Sequence, residues 1–354
     1  MVQLNNLKKF WKGKKVFITG HTGFKGSWLI VILNLLGAKI YGYSLKPKKK
    51  SLFNQINGPK LIEKNFYHNI NNIEKLKSKI NLVKPSIIFH LAAQPLVIES
   101  YKKTLSTFKT NIIGTGNLLE ILKKTKSVKS VVLVTTDKVY KIKKNKDYFL
   151  ESDELGGDDP YSASKACSEI IVNSYIKSFY DHSHLRHRVS TVRSGNVIGG
   201  GDYSRYRLVP DIISSINNRK KLFVRSPDSV RPWQHVIEPL VGYIILAQKQ
   251  SITKINYQPC WNFGPDPKNF VKVCNFLKII NESERVKFKV LKKNQYLETK
   301  TLKLSNQKAK KNLKWKPKWD IKKIIEKVFE WNRLKKQKVN IRKICEIQVK
   351  KYFT

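Results

Sequence analysis

The stretch that most constrains this chain is TGHTGFKG at residues 19–26. It follows an apolar run, KVFITG (15–20), and leads into GSWLIVILNLLGA (26–38), which reads as a buried helix ending near Gly37. A strand, a glycine turn and a helix in that order form a cradle for an anion. Gly20 permits the tight turn, Gly23 lets backbone approach a phosphate, and Gly26 lets the helix pack closely. The N-terminus of the helix then faces the bound charge.

The same alternation continues along the first half. KIYGYSL (39–45), PSIIFHLAA (85–93), SVVLVTT (130–136) and VSTVRSGNVIG (189–199) read as strands. IEKLKSKINLVK (73–84), STFKTNIIGTGNLLEILKKT (106–125) and YSASKACSEIIVNSYIKSFY (161–180) read as helices. Such a chain predicts an α/β fold, a Rossmann-like doubly wound parallel sheet with helices on both faces. After about residue 200 turn-rich segments with scattered Arg and Trp predict a smaller C-terminal substrate-binding lobe. The expected division is 1–195 for the nucleotide-binding domain and 196–320 mostly for the second lobe. A later strand and helix near 233–265 return to the first domain, and 321–354 form a helical tail with a short charged end.

Composition narrows the class. Among 354 residues, 41% are hydrophobic, which suffices for a core. Cys167, Cys260, Cys274 and Cys345 lie far apart with no ligand spacing, which predicts reduced thiols, no metal site and a cytoplasmic protein. The longest apolar run, WLIVILNLLGA from Trp28, is too short to span a bilayer, and no membrane partner is expected. A formal charge of +45 raises the question of nucleic acid. The lysines are spread along the whole chain beside many Asn and Ile, as compositional drift would place them. Weak adhesion to polyanions follows, but no specific nucleic-acid site.

Two segments carry candidate chemistry. YSASK sets Tyr161 and Lys165 four residues apart on one helical face, where a cation would favour the phenolate as a proton acceptor. VTTDKVY (134–140) ends a strand on Asp137 and Lys138, which by themselves read more readily as a solvated strand end than as an acid and a base.

Taken with the glycine loop, these segments resemble the extended short-chain dehydrogenase/reductases. GHTGFKGSWL (20–29), FHLAAQPLV (89–97), TNIIGT (110–115), TTDKVY (135–140), GGDDPYSASKACSE (156–169), SGNVIGGGD (194–202), RLVPD (207–211), VRPWQHVIEPL (230–240) and WNFGP (261–265) are similar, in order, to the CDP-glucose 4,6-dehydratases of the NAD-dependent epimerase/dehydratase family. The resemblance implies a lyase that oxidises the sugar at C4, expels water across C5 and C6, and returns the hydride to C6. Its catalytic residues would be Thr136, Asp137, Lys138, Tyr161 and Lys165. Asp137 is the preferred donor to the leaving hydroxyl and Lys138 the base at C5, each with its pKa shifted by desolvation.

The resemblance further assigns the cofactor to Gly20, Thr22, Gly23, Phe24 and Gly26, to Asn69 and Ile70, and to Leu91, Ala92 and Ala93, with Tyr161 and Lys165. Gln94, Asn196, Arg207, Leu208 and Arg231 would meet the sugar nucleotide. A homodimer or homotetramer and a product that feeds surface-polysaccharide (O-antigen) deoxysugars are also implied. His90 and His235 read as packed residues, and His21 as one that shapes the loop.

Two departures bear on the cofactor. The second strand ends in Ser44 where an acidic residue would bind a ribose 2′-hydroxyl, and Lys46, Lys48, Lys49 and Lys50 follow. NAD is the expected cofactor, and NADP stays open. Asn69 stands where an aspartate is usual in the adenine pocket, and its carbonyl retains an acceptor. Rival readings are a 4-epimerase or another sugar-nucleotide dehydratase of this fold, or, from another class, an inactive polyanion-binding protein.

Overall fold

A computed structural model describes residues 4–143, 146–180, 188–253, 257, 259–291 and 301–354. Seven of the described strands form one parallel sheet: β1 Lys15–Thr19, β2 Lys39–Ser44, β3 Lys64–Tyr67, β4 Ile87–His90, β5 Ser130–Val134, β6 Arg188–Arg193 and β7 Cys260–Asn262. Their order is β7-β6-β5-β4-β1-β2-β3. Every residue of β5 is buried, which is why its sequence, SVVLV, is a continuous apolar run rather than an alternation. The chain reverses its winding between β1 and β4. The loops after those two strands diverge there and open a crevice at the carboxyl end of the sheet.

Helix α1, Phe24–Leu35, is apolar on every side and buries Trp28 through Leu33. It is covered because the sheet takes one face and the C-terminal helices take another. The long helix α2, Pro160–Tyr175, starts sharply: the Asp159 carboxylate accepts from the N–H groups of Tyr161 and Ser162 at 3.0 Å each, and Pro160 stands at the first helical position. Helix α3, Ile237–Ile252, lies against the sheet and precedes β7.

The remaining short elements frame the crevice. Val230–Pro232 pairs antiparallel with Phe270–Lys272, and Leu222–Val224 pairs parallel with Phe288–Val290. Helix Leu208–Asn217 lies beside the latter pair.

Two local expectations are corrected. The stretch 189–199 is not one strand: it breaks after Arg193, and Val197–Ile198 resumes beside Gln234–His235. The break turns Ser194, Gly195 and Asn196 into the crevice wall. The tail does not end in a charged fray. After α4, Ile321–Lys336, a further helix α5, Ile341–Phe353, buries Ile344, Cys345, Val349 and Tyr352 and packs on α1. The first described residues also form a helix, Leu4–Trp11, which buries Leu7 and Trp11.

Candidate active site

The glycine loop turns on Gly20, whose φ of +72° lies in the left-handed region. A Cβ there would stand 2.6 Å from the Ala92 nitrogen, so β1 and β4 approach each other through this residue. At Gly26 a Cβ would stand 2.4 Å from the Gly20 carbonyl oxygen; the helix can begin where it does only without one. Gly23 precedes α1, and no side chain caps its first N–H groups, which face the crevice as donors for an anion. His21 points the other way. Its Nε2 shares a hydrogen bond with Asn65 Oδ1 at 2.9 Å, its ring lies against Gly42 of β2, and burial brings its pKa down to about 4. It is a neutral wedge between β2 and the loop.

A cavity of about 660 Å³ runs from this loop across the sheet's carboxyl edge. Gly20, Thr22, Gly23, Phe24 and Gly26 line it, with Asn69, Ile70, Leu91, Ala92 and Ala93, then Thr136, Asp137, Lys138, Tyr161 and Lys165, and finally Asn196, Arg207, Leu208 and Arg231. Gln94 is not on that wall. Its side chain is spent locally: the amide nitrogen donates to Leu96 O and Thr107 Oγ1, and Oε1 accepts from Leu96 N at 2.7 Å. It shapes the loop after β4.

Beside the glycine loop, Ser44 Oγ and Thr22 Oγ1 share a bond of 2.6 Å, and among the described residues no carboxylate is hydrogen-bonded to either. Asn69 Oδ1 accepts from the Asn71 N–H at 3.0 Å, which fixes the side chain and leaves its second lone pair open.

The reactive end is built from the terminus of β5, the start of α2 and the turn after β6. Thr136 is extended and precedes a short 3₁₀ turn, Asp137–Val139. Its Oγ1 donates to Asp137 Oδ1 at 3.0 Å. The Asp137 N–H donates to Ser194 O at 3.2 Å, so the acid is held by both the strand end and the neighbouring turn. Only 4% of Asp137 is exposed, and burial raises its pKa, with Lys138, Thr136, Arg231 and Lys25 opposing. This is not a solvated strand end.

Tyr161 is buried, and burial lifts its hydroxyl to about 12, with Thr136 and the nearby Arg207 charge opposing. The expected assistance from Lys165 takes a different form. Its ammonium donates to Val134 O at 3.0 Å, and burial lowers its pKa to about 8 while Glu169 works the other way. The Lys138 side chain is half-buried. Desolvation falls on Lys25, which it lowers to about 7, with Arg207 and Lys165 adding to the effect.

Lys25, Ser194 and Tyr243 are the part of the site that sequence reading did not single out. Lys25 Nζ donates to Ser194 Oγ at 2.9 Å, and the Tyr243 hydroxyl donates to the same oxygen at 2.9 Å. A lysine inside a glycine loop was a visible oddity, but its partner is 169 positions away. Arg207 Nη1 pairs with Asp202 Oδ2 at 2.9 Å, which holds the guanidinium at the cavity rim. His90 and His235 are packed residues. His90 bridges Thr19 and Thr115, His235 meets Trp28 and Trp319 edge-on, and burial lowers each pKa to about 3.

Behind the site, Glu169 of α2 receives the Thr135 and Thr191 hydroxyls at 2.5 Å each and a two-point contact from Arg193 at 3.0 Å. Arg193 also donates to the Tyr140 hydroxyl at 2.7 Å. This buried ion pair locks β5, β6 and α2 into one unit under the reactive groups. Among the described residues no cluster of three or more His, Cys, Asp or Glu could hold a metal ion, and no helix is long and apolar enough to cross a membrane.

Comparison with known proteins fits this geometry. The family model for GDP-mannose 4,6 dehydratase matches residues 17–328, and the chain belongs to that family. It is 39% identical over 333 residues to a CDP-glucose 4,6-dehydratase of Salmonella typhimurium, covering 92% of each chain. The fold is similar to that of dTDP-glucose 4,6-dehydratase from Bacillus anthracis in complex with NAD, with TM-score 0.74, 22% identity, and coverage of 92% of this chain and 98% of that one. It is also similar to the epimerase Mth375 of Methanothermobacter thermautotrophicus, with TM-score 0.79, 20% identity, and coverage of 96% and 97%.

Proposed function

We propose that this chain converts CDP-glucose to CDP-4-keto-6-deoxyglucose by an internal redox dehydration that uses NAD. The observation that carries the reading is the buried Asp137, with Lys138 beside it, facing Tyr161 across one cavity. A 4-epimerase expels no water and has no use for such a pair. The choice of nucleotide follows the 39% identity with the Salmonella enzyme.

The residues fit a dinucleotide. The Gly20 turn leaves room for backbone approach, the uncapped start of α1 offers N–H groups to a pyrophosphate, and Lys165 lies where a nicotinamide ribose would be held. Ser44 and Thr22 would receive the adenosine ribose hydroxyls. The exposed Lys46, Lys48, Lys49 and Lys50 keep NADP as the alternative. When bound, the nicotinamide would take a hydride from C4 and return it to C6.

The protein's own groups would manage the protons. Tyr161 takes the proton of the 4-hydroxyl, to which Thr136 also hydrogen-bonds. The resulting 4-ketone acidifies C5. Lys138 removes the C5 proton while Asp137, whose pKa burial raises, donates to the departing 6-hydroxyl. Arg207, Arg231 and Asn196 bind the diphosphate, Arg as a fork donor, with Leu208 beside them.

We read the protein as a cytoplasmic homo-oligomer supplying a 4-keto-6-deoxy sugar to surface-polysaccharide synthesis. Support for assembly comes from Leu105, Ile113, Ile170 and Phe179, large apolar side chains 40–76% exposed on the helical segments 104–122 and 160–180. The lysine excess supports no specific nucleic-acid partner. The test is product analysis with CDP-glucose, dTDP-glucose and GDP-mannose, each with NAD or NADP. Loss of one water from CDP-glucose, with NAD, is the expected result. A mass-neutral product would make the chain an epimerase instead.

A further inference from the structure

Beyond Arg207 the cavity continues into a recess of about 280 Å³ that the redox and elimination chemistry does not use. Ile98, Tyr206, Asp211, Phe223 and Arg225 line both the recess and the main cavity, so the two spaces are continuous. Asp211 lies in the first turn of the helix Leu208–Asn217, three residues after Leu208 and on the same face.

The walls of the recess carry two aromatic rings that the core does not claim. Phe223 stands between the buried Leu222 and Val224, so the ordinary alternation of the strand turns it outward, and it is 58% exposed. Tyr206 is 42% exposed and is held at a φ of +65°, a left-handed conformation that is costly for an aromatic residue. Arg225 Nη2 secures that turn by donating to the Tyr206 carbonyl at 3.3 Å, and Lys102 Nζ lies 5.7 Å from the ring centroid. Exposed rings at a cavity wall suit the faces of a heterocycle.

We infer that this recess seats the nucleobase and that Asp211 and Arg225 select cytosine, the carboxylate accepting from the exocyclic amine and the guanidinium donating to the ring nitrogen and carbonyl beside it. This assignment rests on the nucleotide-sugar reading above. The edge of cytosine runs donor, acceptor, acceptor, which matches one carboxylate oxygen beside an arginine fork. Uracil and thymine put a carbonyl where the amine stands and an N–H at the ring nitrogen, so both protein groups would meet their own kind. Guanine runs acceptor, donor, donor, which reverses the demand on the two groups, and it carries a second ring.

The two side chains are available for that task. Arg225 is near enough for its charge to act on Asp211, yet among the described residues no ion pair closes between them and the Asp211 carboxylate has no hydrogen bond. Burial raises the pKa of Asp211, against the pull of Arg225 and with the Asp202 charge adding, so a donor from a ligand would relieve a desolvated carboxylate. Asp202 itself is already committed to Arg207 at 2.9 Å.

Titration calorimetry of the full chain with free CDP, UDP and GDP tests this. CDP should bind tighter than UDP by roughly tenfold to a hundredfold, the discrimination that a base-edge hydrogen-bond pair supplies, and tighter than GDP. Asp211→Asn presents an amide that serves either pyrimidine, so the preference for CDP over UDP should collapse. Arg225→Met should weaken CDP binding by roughly tenfold. NAD titrated into the same samples should bind as it does to the wild type, which shows that the variants are folded. An unchanged CDP-to-UDP ratio in Asp211→Asn, with NAD binding intact, would leave Asp211 a rim carboxylate and overturn the assignment, as would tighter binding of GDP than of CDP. Wild-type protein that prefers CDP, loses the preference in Asp211→Asn and yet converts no CDP-glucose would overturn the dehydratase reading while the base site stands.

Discussion

Lys165 Nζ donates to the Val134 carbonyl at 3.0 Å, which fastens the helix that carries Tyr161 to the last residue of the strand that leads into Thr136 and Asp137. The groups proposed for oxidation and for elimination thus come from two elements that are fastened together. Below them, the Glu169–Arg193 pair ties the same helix to β5 and β6. The site is a rigid corner, and its consequences can be measured.

Asp137→Asn removes the donor to the leaving hydroxyl but leaves Tyr161 and Lys165 in place. Dehydration should fall by roughly a hundredfold to ten-thousandfold, the range for loss of a general acid or base. Oxidation at C4 should persist. Trapping with borodeuteride should find deuterium at C4 of a sugar that still holds its 6-hydroxyl.

The buried ion pair predicts a stability effect. Arg193 and Glu169 side chains are 3% and 4% exposed, so Arg193→Met leaves a buried carboxylate without its guanidinium. A loss on the order of 3–5 kcal/mol is expected in urea unfolding. Changing both residues to apolar ones of similar volume should recover part of that loss.

Gly20→Ala should be destabilising by about 1–3 kcal/mol, because it places a Cβ against the Ala92 backbone at a positive φ. The same change should weaken binding of the dinucleotide, as isothermal titration with NAD would show. Gly13 also has a positive φ, but no atom lies within 4 Å of its would-be Cβ. Gly13→Ala is therefore the control for the backbone contribution alone.

Glu238 gives a pH dependence outside the site. Burial raises its carboxyl to about 7, although the N–H groups of Lys318 and Trp319 donate to Oε1 at 2.7 and 3.0 Å. The unfolded value is about 4.3. Between those two values the folded state holds a proton that the unfolded state has released, so stability falls as pH rises through that window and levels off above it. The loss is on the order of 2–4 kcal/mol. Glu238→Gln keeps the acceptor for both N–H groups and should flatten this part of the Tm profile.

Much of the framework was legible in the sequence because the central strands are buried on both faces and read as apolar runs. The edge strand Lys64–Tyr67 was not legible, since KNFY buries only Phe66 and carries no alternation. The break after Arg193 was hidden by the Val and Ile that follow it. What interrupts the strand is the use of Ser194 O by Asp137 N and of Asn196 O by Gln234 N, contacts between distant segments. Helix α5 did leave a signal, since Ile344, Cys345, Val349 and Tyr352 repeat at helical spacing beneath its charges. In the site, residue types within the motifs were readable, whereas orientation was not: Gln94 turning away and Lys25 reaching Ser194 depend on the packed fold.

The central claim is that the hydrogen leaving C4 returns to C6 of the same sugar. CDP-glucose carrying deuterium at C4, incubated with the purified protein and NAD, tests it directly. The expected result is a 4-keto-6-deoxy product with the deuterium at C6 and no net reduction of the cofactor. Deuterium accumulating on the cofactor in step with product, or a product that retains deuterium at C4, would contradict it.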